Sequence, residues 1–144
     1  MLMKDLMTKN VEEIGPGNSL SEAADKMKAL DVGALPVCER DKLVGMLTDR
    51  DIATRAVASG RDPRQTPVSE AMTPHTVYCY EDDDVEDAAR LMEQKRIRRL
   101  LVLNKDKRVV GIVSLGDIAT RIGNDRMSAD VLEQVSQPQT RPHI

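Results

Sequence analysis

The stretch Leu43-Val-Gly-Met-Leu-Thr-Asp-Arg-Asp-Ile-Ala-Thr-Arg55 returns 66 residues later as Val109-Val-Gly-Ile-Val-Ser-Leu-Gly-Asp-Ile-Ala-Thr-Arg121. Its last five residues, Asp51 to Arg55, recur unchanged as Asp117 to Arg121, and Gly45 falls on Gly111. Working towards the N-terminus, one loop residue drops out and the offset becomes 65. Val37 then matches Val102, and Met7-Thr8 matches Met72-Thr73. Leu20, Ala23, Ala24 and Met27 follow the spacing of one helix face, and Val85, Ala88, Ala89 and Met92 repeat that face. Identities in several separated blocks at a nearly constant offset mean an internal duplication, which decides the architecture.

Each copy reads as β-α-β-β-α. A short turn ends at Met7 or Met72, and a short strand follows at Val11–Ile14 or Val77–Tyr80. A helix is then announced by Ser19-x-x-Glu22 in one copy and Asp83-x-x-Glu86 in the other, both capping patterns. Buried strands are expected at Leu35–Cys38 and Leu100–Leu103, and second strands at Leu43–Thr48 and Val109–Ser114. The last helices run from about Asp49 to Ser59, stopped by Gly60, and from about Leu115 to Ile122, stopped by Gly123. The fold class is therefore α+β. Residues 1–60 form the first motif and 61–124 the second, while 125–144 hold a short amphipathic helix and a flexible tail. A half of about 60 residues buries little surface alone. Two related halves packing sheet to sheet about a pseudo-twofold axis would solve that problem and create clefts suited to small ligands.

Bulk properties narrow the function. The net charge of −3, from 21 basic and 24 acidic residues, lacks the basic surplus of nucleic-acid binders. With no Phe or Trp, and only Tyr78 and Tyr80 as aromatics, base-stacking platforms are nearly absent. Apolar runs such as Leu100–Leu103 are too short to cross a membrane, and Met1–Met7 does not read as a secretory leader. A cytoplasmic location is expected, with Cys38 and Cys79 as buried, reduced thiols.

Both copies carry a hydroxyl three residues ahead of a carboxylate where strand passes into helix: Thr48-Asp-Arg-Asp51 and Ser114-Leu-Gly-Asp117. Two readings fit. In one, the hydroxyl caps the helix and the acid complements its positive end. In the other, the hydroxyl and helix start face a phosphate while the acid accepts hydrogen bonds from a ribose diol. Glu81-Asp-Asp-Asp84 also has two readings, dipole complementation before a helix or a Mg²⁺ site. His75 and His143 are isolated, and no phosphate-binding glycine loop, nucleophile elbow or Cys-x-x-Cys pair is present. Nothing in the sequence would activate a water or a nucleophile, so no enzyme and no metal are expected.

Gly33-Ala-Leu-Pro-Val37, Arg98-Arg-Leu-Leu-Val102 and the two repeated stretches together resemble the cystathionine β-synthase (CBS) domain, which occurs in tandem as the Bateman module. The resemblance spans residues 3–123. It implies a non-catalytic regulatory module sensing AMP, ADP or ATP, with NAD(H) or S-adenosylmethionine as other ligands and a ligand-free dimeric scaffold as the alternative. It implies ribose and phosphate contacts at Thr48, Asp51, Ser114 and Asp117. Adenine would be read by the main chain around Val11, Thr76 and Val77. The start of the middle strand, Gly33, Ala34 and Leu35 in one copy and Arg98, Arg99 and Leu100 in the other, would flank the phosphates. Arg98 and Arg99 offer guanidinium forks where the first copy has Gly33 and Ala34, so unequal sites are expected, with Arg50 adding to the first. Lys95 and Arg96 suit a helix end. The resemblance further implies a homodimer formed through helix faces including Ile52, Ala53, Ile118 and Ile122, and a regulated protein partner. Inosine monophosphate dehydrogenases carry a similar pair, but 144 residues leave no room for a catalytic barrel of about 250.

Overall fold

The computed structural model describes residues 1–74 and 76–122. In chain order its elements are α1 (Met3–Leu6), α2 (Leu20–Leu30), β1 (Ala34–Glu39), β2 (Lys42–Thr48) and α3 (Asp49–Asp51). A π-helical run, Ile52–Val57, continues α3, and a single 3₁₀ turn covers Val68–Glu70. Then follow β3 (Thr73–Pro74), β4 (Tyr78–Tyr80), α4 (Val85–Lys95), β5 (Arg99–Leu103), β6 (Val109–Ser114) and α5 (Leu115–Ile122). The strands form two three-stranded sheets, ordered β1-β2-β3 and β4-β5-β6. The mixed α+β class expected from the duplication is observed. The helix expected at 125–135, the tail and the stop at Gly123 lie outside the described residues.

The chain divides into two compact units. One is Glu12–Thr76; the other joins Met1–Val11 to the chain from Val77 onward. The two share one pairing scheme. β1 and β2 run antiparallel from Ala34↔Thr48, with a register shift after Val37. β5 and β6 run antiparallel from Arg99↔Ser114, with the corresponding shift after Val102. β3 pairs antiparallel with β2 at Met46↔Thr73, and the other unit has the same pairing reduced to one bridge, Thr8↔Ile112. β4 pairs parallel with β5 at Cys79↔Val102, and its counterpart is again a lone bridge, Ile14↔Val37. The strand expected over Val11–Ile14 therefore shrinks to Ile14, whose N–H donates to Pro36 O and whose carbonyl accepts from Cys38 N.

Apolar periodicity builds a core in each unit. In one, Leu20, Ala23 and Met27 of α2 pack with Leu35, Val37, Leu47 and Val68. In the other, Val85, Ala88, Ala89 and Met92 of α4 pack with Leu100, Val102, Val113 and Ile118, and with Met3 and Leu6 of α1. Ala24 is the exception to the expected face: it is exposed, so α2 buries a narrower stripe than α4. Burial pushes the free thiols of Cys38 and Cys79 from 9.0 up to about 12, keeping them protonated. Among the described residues no helix is long and apolar enough to cross a membrane.

Three local expectations are corrected. α4 is capped by Asp84, whose Oδ1 accepts from Glu86 N at 2.9 Å, while Asp83 Oδ2 instead accepts from Tyr80 N at 2.8 Å and closes the preceding turn. The helix expected over Asp49–Ser59 is a short α-turn that widens into the π-run, with Ala58 N donating to Ala53 O. Thr54 Oγ1 donates to Arg50 O at 2.8 Å, competing with the backbone for that carbonyl and disturbing the α-ladder. Gly60, at φ 73°, then ends the run as foreseen: its N–H reaches Val57 O and that of Arg61 reaches Ala56 O, a left-handed C-terminal motif. Ile118, expected on a face available for pairing, is fully buried in its own unit, whereas Ala53 is exposed.

Candidate functional site

Where the last strand of each sheet passes into its helix, the same bonds are made twice. Thr48 N donates to Asp51 Oδ2 at 3.0 Å, and Asp51 N donates to Thr48 Oγ1 at 3.0 Å. Ser114 N donates to Asp117 Oδ2 at 2.9 Å, and Asp117 N donates to Ser114 Oγ at 3.1 Å. Each is a reciprocal capping box, so the helix-cap reading of the hydroxyl-x-x-acid pattern is correct at both junctions. The next amide is also anchored alike: Asp49 N donates to Gly33 O at 2.9 Å, and Leu115 N to Arg98 O at 2.9 Å. That bond ties the start of the middle strand to the start of the helix.

Capping does not exhaust these groups. An accepting hydroxyl keeps its own proton to donate, and a carboxylate has two oxygens. Asp51 is only 1% exposed, yet its Oδ1 has no hydrogen-bond partner among the described residues, a condition shared only with Thr73 Oγ1. Arg55 Nε lies 3.8 Å from that oxygen, an ion-pair distance too long for a hydrogen bond. The Arg55 guanidinium instead donates from Nη1 to the carbonyls of Ala71 and Met72, at 3.2 Å each. Buried carboxylate oxygens are normally satisfied, and leaving one bare costs on the order of 1–3 kcal/mol or more. Asp117, by contrast, is half-buried.

The remaining candidates divide between the units. With Thr48 and Asp51 lie Gly33 and Ala34, both half-buried, and Arg50, which is exposed. Ala34 is the register partner of Thr48. With Ser114 and Asp117 lie exposed Arg98 and half-buried Arg99, and Arg99 is the register partner of Ser114. The side chains of Leu35 and Leu100 belong to the cores, leaving only their main chain for other contacts. Val11 and Val77 fall in the unit of Asp117, and Thr76 in that of Asp51; all three are half-buried. Lys95 ends α4, and Arg96 follows it in the left-handed region, which accounts for both cations as a helix terminus.

The acidic run serves local structure. Asp82 pairs with Lys4 at 3.1 Å, Asp83 closes a turn and Asp84 caps α4. Among the described residues no three His, Cys, Asp or Glu side chains converge as metal ligands do. Sequence reasoning missed two neighbours of the first junction. Arg55 was detectable through its i, i+4 spacing from Asp51. Asp49 was not, because only the fold brings its carboxylate over Gly33, where an added Cβ would sit 3.2 Å from Oδ2.

Comparison with known proteins agrees with this geometry. The CBS domain profile matches twice, over residues 3–58 and 68–124. The CBS domain-containing protein YhcV of Bacillus subtilis is 45% identical over 134 residues, covering 93% of this chain and 94% of its own. The crystal structure of CBSX2 in complex with AMP aligns with a TM-score of 0.72 and 26% identity, covering 87% of this chain and 98% of the other. The CBS domain pair of protein MJ0100, in complex with 5′-methylthioadenosine and S-adenosyl-L-methionine, aligns with a TM-score of 0.73 and 31% identity, covering 87% and 98%. Two repeats with one pairing scheme, one capping box at each strand-to-helix junction and two profile matches lead to one conclusion: the chain belongs to the CBS domain family, as a CBS domain pair.

Proposed function

We propose that this chain is a regulatory module that binds adenosine-type nucleotides, AMP, ADP or ATP, and performs no catalysis itself. Residues 1–60 and 61–124 act as its two motifs and 125–144 as an accessory segment. The observation that carries the reading is Asp51 Oδ1, a buried carboxylate oxygen without a hydrogen-bond donor among the described residues. Vicinal ribose hydroxyls supply two donors at the spacing of one carboxylate, and Thr48 Oγ1 retains a proton for an acceptor on the ligand. Asp117 and Ser114 offer the same chemistry in the second unit.

Adenine is held against aliphatic surface and read by the main chain near Val11, Thr76 and Val77, since the chain has neither Phe nor Trp to stack on it. Arg98 and Arg99 contact phosphate through charge-assisted hydrogen bonds. The adenosine-containing ligands of the two neighbours described above support the adenosine part of this assignment. The module works in the cytoplasm as a homodimer and reports nucleotide status to a protein partner, through differential affinity for two arrangements of the pair.

Calorimetric titration of adenosine, AMP, ADP and ATP into the purified chain, into Asp51→Asn and into Asp117→Asn tests this. Asn keeps an acceptor for Thr48 N but loses the charge, so circular dichroism should be unchanged. Hydrogen bonds to a charged group are worth roughly 1.5–3 kcal/mol each, so whichever adenosine occupies the substituted site should lose about 10- to 100-fold in affinity. Full affinity in Asp51→Asn and Asp117→Asn together would defeat the assignment.

A further inference from the structure

The two junctions are alike in hydrogen bonding and unlike in charge. Superposing the repeats by register sets Gly33, Ala34, Asp49, Arg50, Asp51 and Arg55 against Arg98, Arg99, Leu115, Gly116, Asp117 and Arg121. The first set holds two cations and two anions; the second holds three cations and one anion. Geometry sharpens the contrast. Asp49 Oδ1 accepts from Arg50 N at 2.8 Å, while its Oδ2 lies over Gly33, the position that Arg98 fills in the other unit. The residue matching Asp49 is Leu115, which is buried in the core. Of the two cations in the first set, Arg55 already donates to the carbonyls of Ala71 and Met72, leaving only the exposed Arg50. An anionic phosphate near Asp49 and the buried Asp51 would meet two carboxylates with few donors to offset them. Near Ser114 it would instead meet one carboxylate and Arg99, the residue paired directly with Ser114, with Arg98 one residue before it.

We propose, building on the adenosine reading above, that the two sites take adenosines of different charge. The Ser114–Asp117 site, with Arg98 and Arg99, takes a phosphate-bearing adenosine. The Thr48–Asp51 site takes an adenosine whose 5′ substituent carries no phosphate, such as a thioether or a sulfonium. Both sites hold the ribose through the same carboxylate, and the 5′ group alone decides the choice. The pair therefore reads two metabolite classes at once and does not count one ligand twice.

The test uses AMP and 5′-methylthioadenosine as probes on the full chain, each titrated alone and then in the presence of the other at saturation. Each should bind once per chain, with no competition between them. Replacing Arg98 and Arg99 together by Ala should weaken AMP by about 10-fold or more and leave 5′-methylthioadenosine unchanged. Asp51→Asn should do the reverse. Added salt should raise the Kd of AMP and spare that of the thioether, because only the former relies on charge pairing. The Arg98–Leu115 bond uses the Arg98 carbonyl, so the double variant keeps its junction, which circular dichroism checks. Mutual competition, or two equal AMP sites that survive the double substitution, would overturn the charge assignment while leaving the adenosine reading intact. If neither probe binds nor raises the melting midpoint of the wild-type chain, the adenosine reading fails and takes this inference with it.

Discussion

Asp31 and Arg96 occupy the same place in the two repeats and the same unusual backbone conformation, each at φ 55° just beyond a helix. Their amides close the helix ends: Asp31 N and Val32 N reach Lys28 O and Met27 O, while Arg96 N and Ile97 N reach Glu93 O and Met92 O. Glycine is the usual residue there, because a Cβ in the left-handed region is strained. Relief of a left-handed penalty of roughly 1–2 kcal/mol, less the entropic cost of Gly of about 0.5–1 kcal/mol, should leave Arg96→Gly more stable by up to about 1 kcal/mol, read as a rise of a few degrees in the thermal midpoint. An unchanged or lower midpoint would mean that the Arg96 side chain contributes more than its backbone costs. At this scale the hydroxyl and acid of each junction were legible in the sequence, because their three-residue spacing is a local rule. The burial of Asp51 Oδ1 was not, since it depends on how residues distant in the chain pack around one oxygen.

At the scale of elements, Gly45 and Gly111 show why the repeat keeps one position of the second strand free of a side chain. A Cβ on Gly111 would lie 2.5 Å from Met7 Sδ and 3.0 Å from Met7 Cβ. One on Gly45 would lie 2.8 Å from Met72 Sδ and 2.9 Å from the Thr73 carbonyl oxygen. The flexible thioethers can move, but the Met7 Cβ and the Thr73 carbonyl are held by the backbone pairings Thr8↔Ile112 and Met46↔Thr73. Gly111→Ala and Gly45→Ala should each cost about 1–3 kcal/mol in urea unfolding, with Gly45→Ala the worse. Equal or greater stability in either variant would show that the neighbouring segment is free to lift away. Most element boundaries followed from periodicity and turn chemistry, as for β6 and α5. Those that did not were settled by competition for single hydrogen-bonding groups, such as Tyr80 N drawing Asp83 away from the helix.

Across the whole molecule, each compact unit recruits the segment that precedes the other repeat. Met3 and Leu6 stand at the start of the chain, yet they are buried with Val85, Met92, Leu100 and Ile118. Val68 and Ala71 precede the second repeat and are buried with Leu20, Leu35 and Leu47. Met3→Ala should thus cost about 2–5 kcal/mol, and hydrogen exchange should show the loss first in α4 and β5, about 80 to 100 residues away along the chain, while α2 is spared. Loss of protection first in α2 would refute that placement. The duplication, the order of most strands and helices, the capping boxes at the two strand-to-helix junctions and the family were determined by the sequence itself, because local spacing and two aligned copies carry that information. Only the tertiary structure decided which unit receives Met3, which carboxylate oxygen is left without a donor and which acid overhangs Gly33. Those outcomes depend on contacts between residues far apart in the chain, which no local pattern encodes.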